Sequence, residues 1–479
     1  MRVLYAASEA APFFKTGGLG DVAYSLPQEL KKDPDLDIRV VLPYYSQMPE
    51  IYRSKVQELS HFRFQLGFRN VYCGIKSLEL KGLTYYFIDN LAYFDRAGLY
   101  GEWDDGERFA FFATAIIEML EVIDWIPDII HVNDWQTAMI PALLVDRYHW
   151  KASLRNIRKV LTIHNLRFQG IYPAEILPNV FGTGYNIFTE DGAKFGDHLS
   201  FLKAGINFSD RVTTVSPTYA KEVLTPAFGE GLDPVLRYNQ WKLSGIINGI
   251  DMEVNNPSTD PSIPFNYDHR NLDGKRKNKA IFQKEMGLSQ DLSKPLIGMV
   301  TRLTDQKGLQ LVERMLEDLF TDQVQLVVLG TGDPRFEDSL RFFQVRYPDK
   351  MRACIQFDVA LAQKIYAASD IFLMPSAFEP CGLSQMIAMR YGTLPLVHET
   401  GGLKDTVVPY NQYNGVGNGF SFHGYNHETL LHTLWFAIHT YRHRVQDWRL
   451  MMNRGMTADW SWANPAAQYK DLYQSLLNQ

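Results

Sequence analysis

Short runs of apolar and β-branched residues alternate along the chain with longer stretches in which apolar residues recur at helical spacing. In the first half they predict strands at 2–7, 37–43, 128–133, 159–164, 211–216 and 243–249, with helices at 19–31, 106–124, 135–149 and 195–209. In the second half they predict strands at 295–301, 324–330, 351–357, 371–376 and 394–399, with helices at 307–320, 334–347, 358–369 and 383–391. Strands that are apolar throughout, each followed by a helix, are typical of parallel sheets covered by helices on both faces. The pattern therefore predicts an α/β protein with two doubly wound halves.

The alternation stops between residues 251 and 276, a proline-containing stretch without periodicity that is typical of a connection between domains. We therefore expect one domain at 1–250 and a second at 251–460. The last segment, 461–479, has the spacing of an amphipathic helix that can cross back onto the first domain, although the pattern alone does not show such a crossing.

The composition is that of a globular protein: of 479 residues, 46% are hydrophobic and 21% are charged, and the net charge is −6. A slightly acidic chain has no overall attraction for nucleic acid or anionic membranes, so neither is expected as a partner. No apolar run approaches the roughly 20 residues that cross a bilayer, and no secretory signal is recognisable. Three cysteines are too few for a disulfide scaffold, which favours a reducing compartment, the cytoplasm.

The loop after the first predicted strand carries glycines and a lysine, a combination that suits an anion. Gly17, Gly18 and Gly20 allow a ligand to approach the backbone at the start of a helix, and Lys15 adds a positive charge. The glycines also resemble a dinucleotide-binding fingerprint, but too many residues separate them from the strand, which disfavours a nicotinamide site. A flexible surface loop is the alternative.

Two further loops at predicted strand ends carry charged residues. Arg302 and Lys307 flank a helix start, where two cations beside free helix amides suit a diphosphate. Glu379 precedes the helix that opens at Gly382, and a carboxylate there accepts hydrogen bonds from sugar hydroxyls. The alternatives are solvated surface cations and a carboxylate favoured only by the helix dipole. Cys381 is interpreted as a small buried residue rather than a nucleophile.

Polar residues also follow three strands of the first half. Asp134, His164 and Asn248 each have a common structural explanation as well, namely a helix N-cap, a buried core histidine and a turn residue. The sequence contains no zinc motif and no dense group of carboxylates, so no metal is expected. It also lacks a P-loop and a nucleophile-elbow serine.

Aromatic side chains are abundant, at 13% of the residues. Tyr44, Tyr45 and Tyr93 lie in first-half loops, where the face of a ring can stack on a sugar along a polysaccharide path. Packing of the same rings on the sheet is at least as good an explanation.

Six motifs, in one order along the chain, carry a resemblance to a known family. They are KTGGLGDV (15–22), HVNDW (131–135), TIHN (162–165), NGID (248–251), TRLTDQKG (301–308) and FEPCGLSQ (378–385). With these motifs the sequence resembles the glycogen and starch synthase family of retaining glycosyltransferases. The resemblance implies the GT-B fold, in which two Rossmann-like domains face a central cleft. It also implies transfer of glucose from ADP-glucose to the non-reducing end of an α-1,4-glucan such as glycogen, with release of ADP and without a metal or other cofactor.

The resemblance also implies roles for individual residues, with the acceptor glucan on the first domain and ADP-glucose on the second. Cations and loop amides would hold the diphosphate, Asp21 would brace the glycine loop, and Phe357 would stack on adenine. The implied donor site is Lys15, Gly17, Gly18, Asp21, Asn248, Arg302, Lys307, Phe357, Glu379, Cys381, Gly382, Leu383 and Ser384. The implied catalytic set is Asp134, His164, Arg302, Lys307 and Glu379, and the acceptor set is Tyr44, Tyr45 and Tyr93.

Two positions depart from the family pattern. Ile387 stands where many retaining relatives carry a second glutamate, and Asn133 stands where the family often has histidine. Neither departure changes a catalytic assignment. Two alternatives stay open: a transferase that uses UDP-glucose or builds another glucan, and a non-catalytic glucan-binding protein of the same fold.

Overall fold

The computed structural model describes residues 1–478, which divide into two compact units. Unit 1 comprises Met1–Asn248 together with the segment from Trp462 onward, and unit 2 comprises Gly249–Ser461. The largest sheet in each unit is parallel or mostly parallel, so the predicted α/β fold class is confirmed.

Unit 1 alternates strands and helices. Its strands are β1 (Arg2–Ala6), β2 (Asp37–Pro43), β3 (Gln57–Leu66), β4 (Arg69–Leu80), β5 (Leu83–Asp89), β6 (Ile129–Asn133), β7 (Arg158–Ile163), β8 (Ile171–Pro173), β9 (Lys194–Phe195), β10 (His198–Ser200), β11 (Arg211–Thr214) and β12 (Leu243–Gly245). Its helices are α1 (Gly18–Leu30), α2 (Glu50–Arg53), α3 (Leu91–Phe94), α4 (Asp105–Val122), α5 (Asp134–Thr137), α6 (Met139–Asp146), α7 (Phe201–Phe208), α8 (Pro217–Glu222), α9 (Asp233–Tyr238) and the C-terminal α18 (Ala463–Leu477). A π-helical turn spans Leu177–Phe181 and a 3₁₀ turn spans Gln240–Lys242.

Nine strands form the main sheet of unit 1, in the order β12-β11-β7-β6-β1-β2-β5-β4-β3. The pairs β5–β4 and β4–β3 are antiparallel and form a ribbon at one edge, while the other pairs are parallel. The sequence pattern did not predict this ribbon, because β3 exposes most of its side chains and lacks an all-apolar run. The predicted helix at 195–209 is also partly wrong, since β10 precedes α7 there.

The C-terminal helix α18 belongs to unit 1 and is tied to its sheet by buried polar contacts. The Tyr473 hydroxyl is hydrogen-bonded to Nδ1 of His131 at 2.6 Å, and Nε2 of the same ring is bonded to the Thr162 hydroxyl at 2.6 Å. Burial lowers the pKa of His131 to about 3, so the ring is neutral and needs no counter-charge. Lys470 forms an ion pair with Asp33, which fastens the outer side of the helix.

Unit 2 is a second alternation of strands and helices. Its strands are β13 (Leu296–Val300), β14 (Gln325–Leu329), β15 (Met351–Cys354), β16 (Ile371–Met374), β17 (Leu394–His398) and β18 (Phe420–Phe422). Its helices are α10 (Asp273–Glu285), α11 (Leu309–Leu319), α12 (Pro334–Arg346), α13 (Val359–Ala368), α14 (Ser384–Arg390), α15 (Gly401–Thr406), α16 (His427–His443) and α17 (Val445–Thr457), with a 3₁₀ turn at Asp305–Lys307. The six strands are all parallel, in the order β15-β14-β13-β16-β17-β18.

The buried ammonium group of Lys275 on α10 joins three parts of unit 2. Its Nζ donates to the carbonyls of Ala367 at 3.1 Å and Tyr391 at 3.1 Å, and to the Thr393 hydroxyl at 2.7 Å. Ala367 lies in the last turn of α13, and Tyr391 directly follows α14, so the lysine donates to carbonyls at the ends of two helices. The Tyr391 carbonyl also accepts a hydrogen bond from the Tyr267 hydroxyl at 2.7 Å. Burial lowers the pKa of Lys275 to about 7. The contacts make Lys275 a structural residue of unit 2.

We expect Lys275→Met to lower the free energy of unfolding by about 2–3 kcal/mol, because the buried Ala367 carbonyl and the Thr393 hydroxyl lose the lysine as their donor. Urea denaturation followed by tryptophan fluorescence measures the change. Lys364→Met is the matched control, since Lys364 is partly exposed and pairs only with Glu285 at 3.0 Å. Equal stability of the two variants would contradict the role given to Lys275.

Candidate active-site residues of the two units

The glycine loop of unit 1 is organised by the buried carboxylate of Glu9. Its Oε2 accepts hydrogen bonds from the amide of Thr16 at 2.9 Å and the hydroxyl of Thr16 at 2.7 Å. Its Oε1 accepts from the amides of Gly17 at 3.2 Å and Gly20 at 3.1 Å. Burial raises the pKa of Glu9, and the donors of Thr16 oppose that rise. The sequence analysis missed Glu9; its signal is a charged residue inside the otherwise apolar run 6–14.

Gly17 and Gly18 are not required by the fold itself. Neither has a positive φ, and a Cβ added at either position meets no atom within 4 Å. Gly20 differs, because its Cβ would lie 2.4 Å from Cβ of Lys15. Lys15 in turn forms an ion pair with Asp21 at 2.8 Å. The open space at Gly17 and Gly18 suits close approach of a ligand to the start of α1.

Asp134 bridges the ends of two neighbouring strands. It follows β6, and its Oδ1 accepts the backbone N–H of His164 at 2.7 Å and more weakly that of Asn165 at 3.4 Å, both after β7. Asn133, not Asp134, occupies the N-cap position of α5, so the N-cap explanation of Asp134 is wrong. Asp134 has a φ of +55°, a left-handed conformation that costs free energy in a residue other than glycine. Burial raises the pKa of its carboxyl to about 7.

His164 has a neutral, oriented ring. Its Nε2 lies 2.9 Å from Oδ1 of Asn133, the last residue of β6. Burial lowers the pKa of His164 to about 3, so the ring carries no charge at neutral pH. Two predicted residues, Asp134 and His164, are thus brought together by adjacent strands of one sheet, and Asn133 joins them.

In unit 2 a lysine and a glutamate after two different strands form an ion pair. Nζ of Lys307 lies 2.6 Å from Oε2 of Glu379, and the Ser376 hydroxyl donates to the same oxygen at 3.0 Å. The Lys307 and Glu379 side chains are mostly buried, so the pair is shielded from solvent. Arg302 follows β13 and is exposed, and its guanidinium makes no ion pair or hydrogen bond within residues 1–478.

Glycines hold the loops of unit 2 close together. Gly308 has a φ of +79°, and a Cβ there would lie 2.1 Å from the Pro375 carbonyl oxygen. Gly401 and Gly402 start α15 and press against the segment that carries Glu379, because a Cβ on Gly401 would lie 1.9 Å from the Glu379 carbonyl oxygen. The amide of Gly402 donates to that carbonyl at 3.1 Å. The sequence analysis missed this glycine pair, whose signal is a Gly-Gly step directly after a strand.

The remaining residues predicted for the donor site are accessible to different degrees. Asn248 is buried, and its Oδ1 has no hydrogen-bond partner in the described part of the chain. Phe357 lies beyond β15 with 84% of its surface exposed, which leaves its ring free to stack. Cys381 is buried, and Gly382 has a φ of +71° that favours glycine. Leu383 and Ser384 lie at the start of α14.

Two of the aromatic residues expected to bind the acceptor are core residues. Tyr45 is fully buried, with its ring packed edge-on against Phe14 and Phe94. Tyr93 is also buried, and its hydroxyl donates to Glu107 at 2.6 Å. A buried ring has no free face, so the expectation that these two stack on a glucan is wrong. Tyr44 is half-buried, with Lys76 over its ring.

Two kinds of structural feature are absent from residues 1–478. These residues contain no group of three or more histidine, cysteine, aspartate or glutamate side chains placed to hold a metal ion. They also contain no helix with the length and apolar character needed to cross a membrane.

Comparison with known proteins identifies relatives over the whole chain. The model of the starch synthase catalytic domain matches residues 2–238, and the model of glycosyl transferases group 1 matches residues 283–446. Glycogen synthase of Lactiplantibacillus plantarum is 54% identical, with 99% of each chain covered. The chain belongs to the glycogen and starch synthase family. Glycogen synthase of Ligilactobacillus salivarius is 51% identical, with 100% of each chain covered.

Solved structures show that the fold of this chain also matches that of known proteins. The catalytic domain of starch synthase IV from Arabidopsis thaliana, bound to ADP and acarbose, superposes with a TM-score of 0.92 at 35% identity, covering 100% of this chain and 99% of that one. Sucrose-phosphate synthase from Thermosynechococcus elongatus shares only the fold, with a TM-score of 0.61 at 16% identity, covering 100% of this chain and 99% of that one. The family and the fold class expected from the six motifs are therefore confirmed.

We expect Glu9→Gln to loosen the glycine loop, because the new amide NH₂ presents donors to backbone groups that are themselves donors. Hydrogen exchange of the 16–20 segment, measured by mass spectrometry, should become faster. Glu29→Gln on α1 is the control, since Glu29 contacts only Lys32 through its side chain in the described structure. Unchanged exchange in Glu9→Gln would show that the carboxylate does not hold the loop.

Proposed function

We propose that this chain transfers the glucosyl group of ADP-glucose to the non-reducing end of an α-1,4-glucan, with retention of the α configuration and release of ADP. The observation that carries the proposal is its identity of 49–54% to glycogen synthases over at least 99% of its length. The ADP in the starch synthase IV structure supports an adenine nucleotide as the donor. Three cysteines in 479 residues support action in a reducing compartment, the cytoplasm.

In this proposal the cations of unit 2 bind the diphosphate of the donor. Arg302 has all five N–H donors available and matches two phosphate oxygens in a bidentate manner. Lys307 uses one of its three N–H donors for Glu379, so two N–H donors remain for phosphate. In unit 1, Gly18 has open space and Lys15 is partly exposed, so we assign these two residues to phosphate binding as well.

The glucosyl group requires acceptors for its hydroxyls. Glu379 uses Oε2 for Lys307 and Ser376, which leaves Oε1 for sugar hydroxyls. Asn248 supplies a second acceptor, since its buried Oδ1 has no protein partner within residues 1–478. A buried acceptor without a protein partner is open to a ligand hydroxyl. Phe357, whose ring is exposed, is assigned to adenine.

The chemistry we propose is attack of the acceptor from the face that the diphosphate leaves. The bond from the anomeric carbon to the phosphate oxygen breaks while the bond to the acceptor oxygen forms, and the departing phosphate takes the acceptor proton. Arg302 and Lys307 stabilise the negative charge that builds on the phosphate; losing one such donor typically costs about 3 kcal/mol of transition-state stabilisation. Asp134 is a poor nucleophile here, because Oδ1 is bonded to backbone amides and burial raises its pKa to about 7.

We expect Arg302→Ala to lower kcat about 100-fold, and Lys307→Ala and Glu379→Ala to lower it at least as much. The measurement is ADP release from ADP-glucose with glycogen as acceptor. Arg335→Ala is the matched control, because Arg335 is an exposed arginine whose ion pair is with Asp305. Full turnover in the Arg302 and Lys307 variants would refute the site assignment. Glucan binding without any ADP release by the natural chain would instead support a non-catalytic glucan-binding protein.

We expect Gly18→Ala to raise KM for ADP-glucose at least about 10-fold, the effect of ~1.4 kcal/mol, with no loss of thermal stability. The reason is that a methyl group there meets no protein atom and fills space assigned to the donor. Gly20→Ala is the comparison: it should lower stability as well, because its Cβ would lie 2.4 Å from the Lys15 side chain. An unchanged KM in Gly18→Ala would remove the glycine loop from the donor site. The same assay with UDP-glucose in place of ADP-glucose tests the choice of nucleotide.

A further inference from the structure

Asn133 lies at the centre of a buried hydrogen-bond network in unit 1. Its Oδ1 is 2.9 Å from the Tyr5 hydroxyl and 2.9 Å from Nε2 of His164. Its Nδ2 donates to the carbonyl of Ala6 at 3.0 Å. Asn133 is fully buried and Tyr5 is 1% exposed, so water does not compete for these contacts.

The network decides which nitrogen of the His164 ring carries the proton. The bond from Nδ2 to a carbonyl fixes the orientation of the Asn133 amide, because only the NH₂ group can donate to a carbonyl. The oxygen therefore faces the ring, and an amide oxygen only accepts. Nε2 of His164 must then be the protonated nitrogen, and Nδ1 keeps its lone pair. No group in residues 1–478 bonds to that Nδ1.

We propose that Asn133, supported by Tyr5, is a positioning residue that holds His164 as the neutral Nε2–H tautomer and so presents Nδ1 as an acceptor to a hydroxyl of the transferred glucose. The assignment of that hydroxyl to glucose rests on the proposed function. The tautomer itself rests only on the contacts of Asn133. A carboxamide supplies an acceptor without adding a titratable group.

The charged and titratable groups around His164 are compatible with a neutral ring. Asp134 accepts the backbone N–H of His164, not its ring, and His131 is a neighbouring ring whose own pKa burial lowers to about 3. Tyr5 reaches His164 only through Asn133, and Glu9 acts at longer range on Asp134. Burial lowers the pKa of His164 to about 3, in keeping with a ring that only donates from Nε2 and accepts at Nδ1.

Nitrogen NMR of the full chain labelled with ¹⁵N-histidine tests the tautomer directly. The two ring signals of His164 are assigned by their loss in His164→Gln. At neutral pH we expect a protonated Nε2 and a bare Nδ1, and in Asn133→Ala a shift towards a mixture of both tautomers. A protonated Nδ1, or a ring protonated at both nitrogens, would overturn the proposal whatever the activity of the protein.

Kinetics test the consequence for transfer. We expect Asn133→Ala to lower kcat about 10- to 100-fold with little change in KM for the donor, because the acceptor nitrogen loses its orientation. Tyr5→Phe should have a smaller effect in the same direction. Asn239→Ala is the matched control, since Asn239 is also a buried, hydrogen-bonded asparagine of unit 1, and its bonds are to Asn207 and Val235. A kcat for Asn133→Ala equal to that of the control would overturn the proposal.

Asn133→Asp separates positioning from simple destabilisation. A carboxylate beside Nε2 favours the doubly protonated ring and raises the pKa of His164. Below the raised pKa, Nδ1 is protonated and cannot accept, so kcat of the variant should rise with pH through a range where the natural chain changes less. Superimposable pH profiles would count against the proposal. Failure of the natural chain to release ADP would refute the proposed function instead, and the NMR result would stand apart from it.

Discussion

A carboxylate that is removed from water needs hydrogen-bond donors, and this requirement shapes the loops of both units. Glu9 and Glu379 are 2% and 8% exposed, and taking an ion out of water costs several kcal/mol unless charge or hydrogen bonds replace the solvent. Glu9 receives its donors from the backbone of the glycine loop, and Glu379 receives them from Lys307 and Ser376. The loops at the strand ends are therefore fixed by the anions that they enclose.

The same arrangement leaves a defined set of groups without partners. Glu9 accepts hydrogen bonds from the amides of Gly17 and Gly20, while the backbone at Gly18 faces open space. Once Lys307 has paired with Glu379, Arg302 is the cation of that loop without a partner in the described chain. Buried anions thus order the loops, while donors and a cation remain for a ligand. In the proposed function, this division gives an acidic chain a local site for a phosphate group.

The hydrophobic pattern predicted the fold class and most of the parallel strands because those strands are largely apolar. It missed β5 and β18, which also pair in parallel. The edge ribbon of β3 and β4 escaped prediction, since an edge strand exposes polar side chains and has no comparable run. Arg302 and Glu379 could be found because parallel strands bring their following loops to one edge of a sheet. The burial of Glu9, by contrast, depends on loop packing that no local pattern records.

Tyr45 and Tyr93 are two residues whose burial the local sequence pattern also did not predict. Both lie in segments that resemble loops, and both rings are nevertheless part of the core because they pack against other aromatic rings. Asp134 is a further case: a helix cap was the alternative explanation for this residue, while the backbone adopts a φ of +55° that aims the carboxylate at the next strand. Each error arises where a tertiary contact overrides a local preference.

The proposed reaction makes opposite electrostatic demands on the residues beside the sugar and on those beside the phosphate. Positive charge develops on the sugar while negative charge develops on the departing phosphate, so the two ends of the breaking bond need opposite surroundings. A second cation beside the sugar would raise the barrier, and His164 avoids this because burial and the uncharged oxygen of Asn133 keep its ring neutral. Arg302 and Lys307, in contrast, are assigned to the phosphate. The neutrality of one residue is then as necessary to the chemistry as the charge of the other two.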